Sequence, residues 1–120
     1  YGRSIFGGNI EFLQKFMPAA EYAKVLAKCD IAVMNHSIQE ALGNIIALLY
    51  LGKKVFIRSQ TTSFRFFNSM GVQISSADEI SFMSFKNFSS VLHDSQNSSL
   101  IYSFFSESNC IQMWKNLFSK

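Results

Sequence analysis

The stretch IAVMNHSIQEALGNIIALLYLGKKVFIR, residues 31–58, carries the pattern that decides the fold. An apolar run at 31–34 comes first, polar residues follow it, and an apolar segment at 45–51 leads to a second strand-like run at 54–58. The two runs are too short for helices and suit strands buried on both faces, whereas the segment between them suits a deeply packed helix. The order strand, helix, strand predicts a parallel β-α-β unit.

Elements on either side of this unit are expected to enlarge it into a Rossmann-like α/β domain with a parallel sheet. The additional predicted elements are a strand at 10–13, a helix at 19–29, a helix at 64–70, a strand at 72–74, a helix at 78–92, a loop at 94–99 and a helix at 107–118. The last helix carries an apolar stripe through Ile111, Trp114 and Leu117. We therefore expect it to fold back onto the sheet or onto a partner domain.

Length and charge narrow the class of protein. A chain of 120 residues fits one domain and is short for an enzyme that must enclose two substrates. The net charge of +3 comes from 11 Lys and Arg against 8 Asp and Glu, and these charges are spread thinly along the chain. This distribution favours a mild preference for anions and argues against a nucleic-acid partner.

Cysteine usage and hydropathy favour a soluble, cytoplasmic protein that at most lies on a membrane surface. Cys29 and Cys110 are far apart and sit in apolar patterns, which predicts reduced, buried thiols. No apolar run reaches the roughly 18 residues that a membrane-spanning helix needs. Residues 1–8 lack an initiator Met and have the pattern of a helix stopped by two glycines. We therefore expect residues 1–120 to be one partial domain of a larger protein, with a C-terminal helix at 100–120.

Polar residues follow both strands of the predicted β-α-β unit. One polar loop runs from 35 to 44, and the other runs from 58 to 63. Ligands of open parallel sheets bind outside the carboxyl ends of the strands, and strands adjacent in sequence are usually neighbours in space. We therefore expect the two loops to flank one crevice.

The helix that follows the first loop begins with features of an anion site. A helix N-terminus offers unpaired N–H groups and a partial positive charge, Gly43 leaves the backbone open, and Asn44 and Gln39 add amide donors. Ser37 and Glu40 have the spacing of a capping box, which would start the helix one residue after Ser37. That start would make Gly43 an interior residue at a cost of about 1 kcal/mol relative to Ala, so we expect the regular helix to begin at Gly43. Helix capping alone is the alternative for this loop.

Other polar residues of the two loops each have a functional and a structural interpretation. His36 is a candidate general base or phosphate donor, or a hydrogen-bonded structural residue. Glu40 is a second catalytic candidate, which could hold sugar hydroxyls or only cap the helix. For Arg58, anion binding is favoured over a surface salt bridge. The hydroxyls of Thr62 and its two neighbours could cap the next helix or contact phosphate.

Strong catalytic and metal motifs are missing from the sequence. It contains no Walker pattern, no GxGxxG, no GxSxG elbow and no paired Cys or Cys-His spacing. We therefore expect neither a metal nor a tightly bound cofactor. His93, beside Asp94, is interpreted as a solvated surface residue. Phe16, Met17 and Pro18 form the one aromatic group near a strand end where a base could stack.

Residues 16–58, FMPAAEYAKVLAKCDIAVMNHSIQEALGNIIALLYLGKKVFIR, resemble the nucleotide-binding half of the bacterial 4-alpha-L-fucosyltransferase family, which is glycosyltransferase family 56. The likeness rests on FMP followed by EY, then CD, then NH with Q and GN, and then LGKKVFIR. It continues more loosely through residue 74 and fades in the serine-rich tail. The family loop carries a basic residue and a second Gln where this chain has Ile38 and Glu40.

The resemblance implies the C-terminal domain of a GT-B glycosyltransferase, in which two Rossmann-like domains face each other across a cleft. The donor would be a nucleotide-diphospho-sugar, namely dTDP-N-acetylfucosamine or a related deoxyamino sugar. The acceptor would be a lipid-linked saccharide, held by an N-terminal domain at the inner face of the cell membrane. By this resemblance Gly43 and Asn44 would face the diphosphate, His36 and Gln39 the phosphate or sugar, and residues 16–18 the base.

Two other functions stay open on the sequence. A free-standing flavodoxin-like module would bind a nucleotide or phosphate without catalysis, and it would need a complete sheet within this chain. A non-catalytic interaction domain could keep the same fold. Replacement of Gly43 by Asp would then leave its function unchanged.

Overall fold

A three-stranded parallel sheet forms the centre of the computed structural model, which describes residues 1–38, 40–90 and 96–119. The strands are β1 (Ile31–Met34), β2 (Lys54–Ile57) and β3 (Ser75–Ser76), in the order β1-β2-β3. Met34 of β1 lies opposite Ile57 of β2 in the register. The chain is thus mixed α/β with a small open parallel sheet, and the predicted β-α-β unit is confirmed.

Seven α-helices surround the sheet in the described ranges. They are α1 (Gly2–Phe6), α2 (Ala19–Lys28), α3 (Leu42–Tyr50), α4 (Thr62–Ser69), α5 (Phe85–Ser89), α6 (Gln96–Phe105) and α7 (Glu107–Phe118), with short 3-10 helices at Gly7–Asn9 and Ala77–Phe82. The helix expected at 19–29 is confirmed as α2. The helix expected at 64–70 is confirmed as α4, which begins two residues earlier.

The core lies between β2 and the faces of α3, α4 and α6. Every residue of β2 is buried, as expected for the central strand of the sheet. Helix α3 contributes Ile45, Leu48 and Leu49, which share one face because they are three and four positions apart. Phe67 of α4 and Ile101 of α6 complete the cluster. Burial of each such side chain stabilises the fold by roughly 1.5–3 kcal/mol.

Strand β1 is less buried than its apolar sequence predicts. Ala32 and Met34 pack against the core, whereas Val33, on the opposite face, is 47% exposed. Alternation along the strand sends Val33 to the face that the core does not cover. The expectation that 31–34 is buried on both faces is therefore wrong.

The strand expected at 10–13 does not form. These residues are irregular, and Phe12 and Leu13 are exposed. The Arg3 guanidinium lies 5.5 Å from the centre of the Phe12 ring, so the ring contacts the N-terminal helix instead of a sheet. Alternation of apolar residues predicted a strand, but no neighbouring strand in the described part of the chain pairs with this segment.

The third strand lies after the position predicted for it. Residues 72–74 are irregular, and β3 begins at Ser75. The cause is the buried Asn97 side chain, whose Oδ1 accepts from the Gln73 N–H at 2.8 Å and whose Nδ2 donates to the Gln73 carbonyl at 2.9 Å. An amide side chain thus satisfies both backbone groups of Gln73 in place of a strand.

The serine-rich half of the chain differs most from the prediction. The single helix expected at 78–92 is a 3-10 helix followed by α5, where the Ser84 hydroxyl accepts from the Asn87 N–H and starts a new helix. The loop expected at 94–99 is wrong for residues 96–99, which form the first turn of α6. Residues 91–95, including His93, lie outside the described ranges.

A buried lysine holds α5 against the sheet. Lys54 in β2 is only 7% exposed, and its Nζ donates to the carbonyls of Asn87, Phe88 and Ser90 at 2.7, 3.0 and 2.9 Å. The last carbonyls of a helix lack intrahelical partners, so a cation is a suitable cap there.

The final helix forms at the predicted residues but in a different environment. Helix α7 packs mainly against α6, and residues 111–118 are all exposed. The rings of Trp114 and Phe118 stack on each other with their centres 5.6 Å apart. The expected return of this helix onto the sheet does not occur. Ser106 separates it from α6, so residues 100–118 belong to two helices.

Candidate functional site

The two predicted polar loops meet at the carboxyl edge of the sheet. The Arg58 Nε–H donates to Asn35 Oδ1 at 2.8 Å, which joins the residue after β2 to the residue after β1. This contact follows from the register, because Met34 and Ile57 end their strands side by side. The two polar loops are therefore neighbours at this edge of the sheet, as predicted.

Asp78 ties the third strand to the same edge. Its Oδ2 accepts from the Ser59 N–H at 3.0 Å, from the Ser59 hydroxyl at 2.7 Å and from the Ser76 hydroxyl at 3.3 Å. The Ser59 hydroxyl and then the Ser59 N–H lower the pKa of the Asp78 carboxyl below its usual 3.8, because these bonds favour the charged form. This role of Asp78 is not predicted from the sequence, although an Asp two residues after a serine pair is a signal for a turn.

The entry to α3 has an unusual backbone. Ala41 is the one non-glycine residue of the described ranges with positive φ (φ 54°, ψ 30°), a conformation that costs roughly 1–2 kcal/mol for a residue with a Cβ. It immediately precedes the first helical residue, Leu42, and no described side chain caps the helix. The N–H groups of the first turn therefore have no acceptor within the helix or from a capping side chain.

Gly43 lies in this first turn and is exposed. No described atom outside its own helix backbone and sequence neighbours lies within 4 Å of the position that a Cβ would take. Its backbone belongs to α3 and needs no left-handed conformation. Neither packing nor backbone geometry thus requires glycine here. Asn44 follows it and is half-buried.

The capping box at residues 37–40 does not start the helix. The helix begins at Leu42, one residue before the predicted Gly43, so the predicted loop or turn before it is confirmed. Glu40 instead faces His36, with 3.6 Å between His36 Nε2 and Glu40 Oε2, and both side chains are exposed. The two catalytic candidates are therefore neighbours. Gln39 lies outside the described residues.

The N-terminus of α4 lies beside that of α3 and is capped. The Thr61 hydroxyl accepts from the Phe64 N–H at 3.2 Å and donates to the Arg58 carbonyl at 2.8 Å, so Thr61 has the structural role. Thr62 is exposed, whereas Ser63 is buried. Of the three hydroxyl residues in this turn, Thr61 is hydrogen-bonded within the fold, Thr62 is exposed to solvent and Ser63 is buried.

Gly43 lines a cavity of about 320 Å³ between α3 and α6, and two further cavities lie where α3 and α4 begin. The larger of these two, about 280 Å³, lies between α3 and α4 and is lined by Leu42, Thr62, Ser63 and Phe66. The smaller, about 10 Å³, has room for about one water molecule. His36, Glu40, Thr61 and Ser63 contribute its polar lining. Ser63 therefore lines both cavities.

The segment proposed for base binding is not brought to this edge by any described contact. Phe16 is 97% exposed, Met17 is half-buried, and Pro18 precedes the first residue of α2. The other end of α2 is tied to the start of β2, because Lys53 Nζ donates to the Ala27 carbonyl at 2.8 Å.

The described residues contain no group of three His, Cys, Asp or Glu side chains that could hold a metal ion. Both thiols, Cys29 and Cys110, are free and half-buried. Within the ranges that the structure covers, no helix has the length and apolar character needed to cross a bilayer. No protein-family model, curated protein or solved structure matches the chain.

The edge of the sheet therefore presents donors on three sides. One is the first turn of α3, the second is the Arg58 guanidinium, and the third is the exposed Thr62 hydroxyl at the start of α4. Donors and a helix dipole of this kind suit an anionic ligand such as a phosphate group. Two carboxylates lie at the same edge, namely Glu40, whose Oε2 is 3.6 Å from His36 Nε2, and Asp78, which interacts with Ser59 and Arg58.

Proposed function

We propose that this chain is the nucleotide-sugar-binding domain of a GT-B glycosyltransferase and that it holds the donor diphosphate at the carboxyl edge of the sheet. The observation that carries the proposal is the Asn35–Arg58 hydrogen bond at the same edge of the sheet as the start of α3, which no described side chain caps. The bond positions a permanent cation at the end of the sheet where open α/β folds bind ligands.

The Arg58 side chain has donors left for a ligand. Its Nε–H is used by Asn35, whereas its four Nη–H donors make no hydrogen bond to the described residues, although the Asp78 carboxylate is close enough to interact with the Arg58 charge. A guanidinium held at Nε can bind phosphate oxygens in a bidentate manner with the remaining donors. Arg58 and the first turn of α3 would together stabilise the negative charge that develops on the diphosphate leaving group.

Gly43 supports the same assignment. An exposed glycine in the first helical turn has a stability cost and no steric justification in the described structure. Its bare backbone lets an anion approach the N–H groups closely. Asn44 adds a side-chain amide beside it. The strained Ala41 fits this arrangement, because unusual backbone geometry concentrates at ligand-binding positions.

The remaining roles rest on position and on the family resemblance. His36 and Glu40 line the small cavity beside Thr61 and Ser63, the donor sugar would lie nearby, and either side chain could accept a proton from an acceptor hydroxyl. By the family resemblance Gln39 would contact the phosphate or sugar, and from its position Thr62 would contact the diphosphate. The saccharide acceptor, lipid-linked according to the family resemblance, would come from a second domain facing this edge.

Calorimetric titration of the chain with dTDP, UDP and inorganic phosphate tests the proposal. We expect both nucleotides to bind at millimolar concentration or below, and more tightly than phosphate. Gly43→Asp should abolish this binding, because it places a carboxylate at the α3 N-terminus. Gly71→Asn, at a distant left-handed glycine, serves as a folded control. The proposal fails if the folded chain binds neither nucleotide, and equal affinity for phosphate would favour the non-catalytic phosphate-binding module.

A further inference from the structure

The cleft between α3 and α4 has features that diphosphate binding does not explain. Two of its four lining residues, Leu42 and Phe66, are apolar. The Phe66 ring is held edge-on by Phe67, with ring centres 5.3 Å apart, and by Phe104, with ring centres 5.5 Å apart. An apolar wall with a fixed aromatic ring does not suit a phosphate group, but it suits a flat organic ring.

Ser63 adds a polar group to this cleft. The residue is 6% exposed, and its hydroxyl has no hydrogen-bond partner in the described part of the chain. Among the described residues, every polar side-chain atom that is fully enclosed has a hydrogen-bond partner. Because the Ser63 hydroxyl has none, it is not fully enclosed and must be reachable from a cavity that Ser63 lines. A largely buried hydroxyl that no described group engages is free to hydrogen-bond a matching polar atom of a ligand in the cavity.

We propose that this cleft binds the base of the nucleotide, an inference that rests on the proposed function. The ring would enter between Leu42 and Phe66, and a ring carbonyl or imide group would hydrogen-bond the Ser63 hydroxyl. Leu42 directly precedes Gly43, so a base in the cleft leaves the phosphates beside the first turn of α3. Residues 16–18 would then have no part in base binding, in agreement with the exposure of Phe16.

Three variants and two ligands test this assignment. Ser63→Ala removes the hydroxyl, Phe66→Leu removes the aromatic face, and Phe16→Ala is the matched control at an exposed aromatic residue. Inorganic pyrophosphate reports phosphate binding alone, and dTDP reports phosphate and base together. We expect Ser63→Ala to weaken dTDP binding by about 3- to 10-fold, the effect of one hydrogen bond, and to leave pyrophosphate binding unchanged. Phe16→Ala should change neither affinity.

Methyl NMR gives an independent readout. Stacking of the base should move the Leu42 methyl resonances upfield with dTDP and not with pyrophosphate. Equal affinity for the two ligands would overturn the base assignment while leaving the phosphate site intact, and so would a loss of dTDP binding in Phe16→Ala alone. The base assignment would also be overturned if a sugar 1-phosphate shifted the Leu42 methyl resonances and dTDP did not. Failure of both pyrophosphate and dTDP to bind would reject the proposed function together with this inference.

Discussion

Asn35 and Arg58 are 23 residues apart in the chain, and a 2.8 Å hydrogen bond between Oδ1 and Nε joins them at the end of the sheet. Each is the first residue after its strand, so the bond connects the two loops that leave adjacent strands of the sheet. The bond fixes the orientation of the Arg58 guanidinium, which is otherwise exposed. This positioning is what the proposed diphosphate site requires.

The first prediction separates the charge of Arg58 from its positioning. Arg58→Gln should weaken dTDP binding by about tenfold or more, because it removes a charged donor. Asn35→Ala should weaken it by about 3- to 10-fold through loss of orientation. Since Asn35 acts through Arg58, the double variant should bind no worse than Arg58→Gln. Asn68→Ala, at an exposed position of α4, is the control, and additive losses would contradict the positioning role.

Gly43→Ala should raise stability and lower affinity together. Ala favours a helix over Gly by up to about 1 kcal/mol, and the Cβ meets no described neighbour. Urea unfolding should therefore show a higher midpoint, whereas titration should show weaker binding of pyrophosphate. A variant that is more stable and binds equally well would mean that the glycine has no role in anion binding.

Asp78 should make stability depend on acidity. Its pKa is lowered in the folded protein, so its contribution is fully present above the unfolded value of 3.8 and is lost as the pH falls through the lower folded value. In Asp78→Asn, the urea midpoint should fall less steeply than in the unmodified protein as the pH drops below about 4. An unchanged decline in the variant would show that other carboxyl groups cause the acid sensitivity.

Lys54→Met should destabilise the protein strongly. The substitution removes three hydrogen bonds from Nζ and leaves the carbonyls of Phe88 and Ser90 without that donor, whereas the Asn87 carbonyl keeps the Ser90 hydroxyl; hydrogen bonds to charged groups contribute about 1.5–3 kcal/mol. Lys53→Met is the matched control, because Lys53 makes one exposed bond to a carbonyl and should lose less than about 1 kcal/mol. Equal losses measured by urea unfolding would contradict a special role for Lys54.

Local patterns predicted the β-α-β unit and the helix at 107–118, because their period and length are readable within a few residues. The pairing of Asn97 with Gln73 was not predictable, since it joins residues 24 positions apart through a side chain. Helix α6 was missed for a related reason. Its first turn holds two serines, and it is stabilised by burial of Asn97 and Ile101 and not by helix propensity.

The candidate site was predictable in outline only. Strand ends located the two loops, because parallel strands place their carboxyl ends at one edge. The left-handed Ala41, the Asp78 bridge and the unpaired Ser63 depend on tertiary contacts, which no spacing rule encodes. The role of Thr61 was also not predictable, because a threonine at this position fits helix capping and phosphate contact equally well. The hydrogen bond from the Phe64 N–H to the Thr61 hydroxyl decides for capping.

The reactivity of the buried Lys54 amine can also report local opening of the domain. An amine that is engaged by three carbonyls cannot react with an acylating reagent until the α5 segment separates from the sheet. The rate of its acylation, compared with that of surface lysines such as Lys24 and Lys28, therefore measures how often this part of the domain opens. Mass spectrometry of a single modified peptide would follow the opening under native conditions.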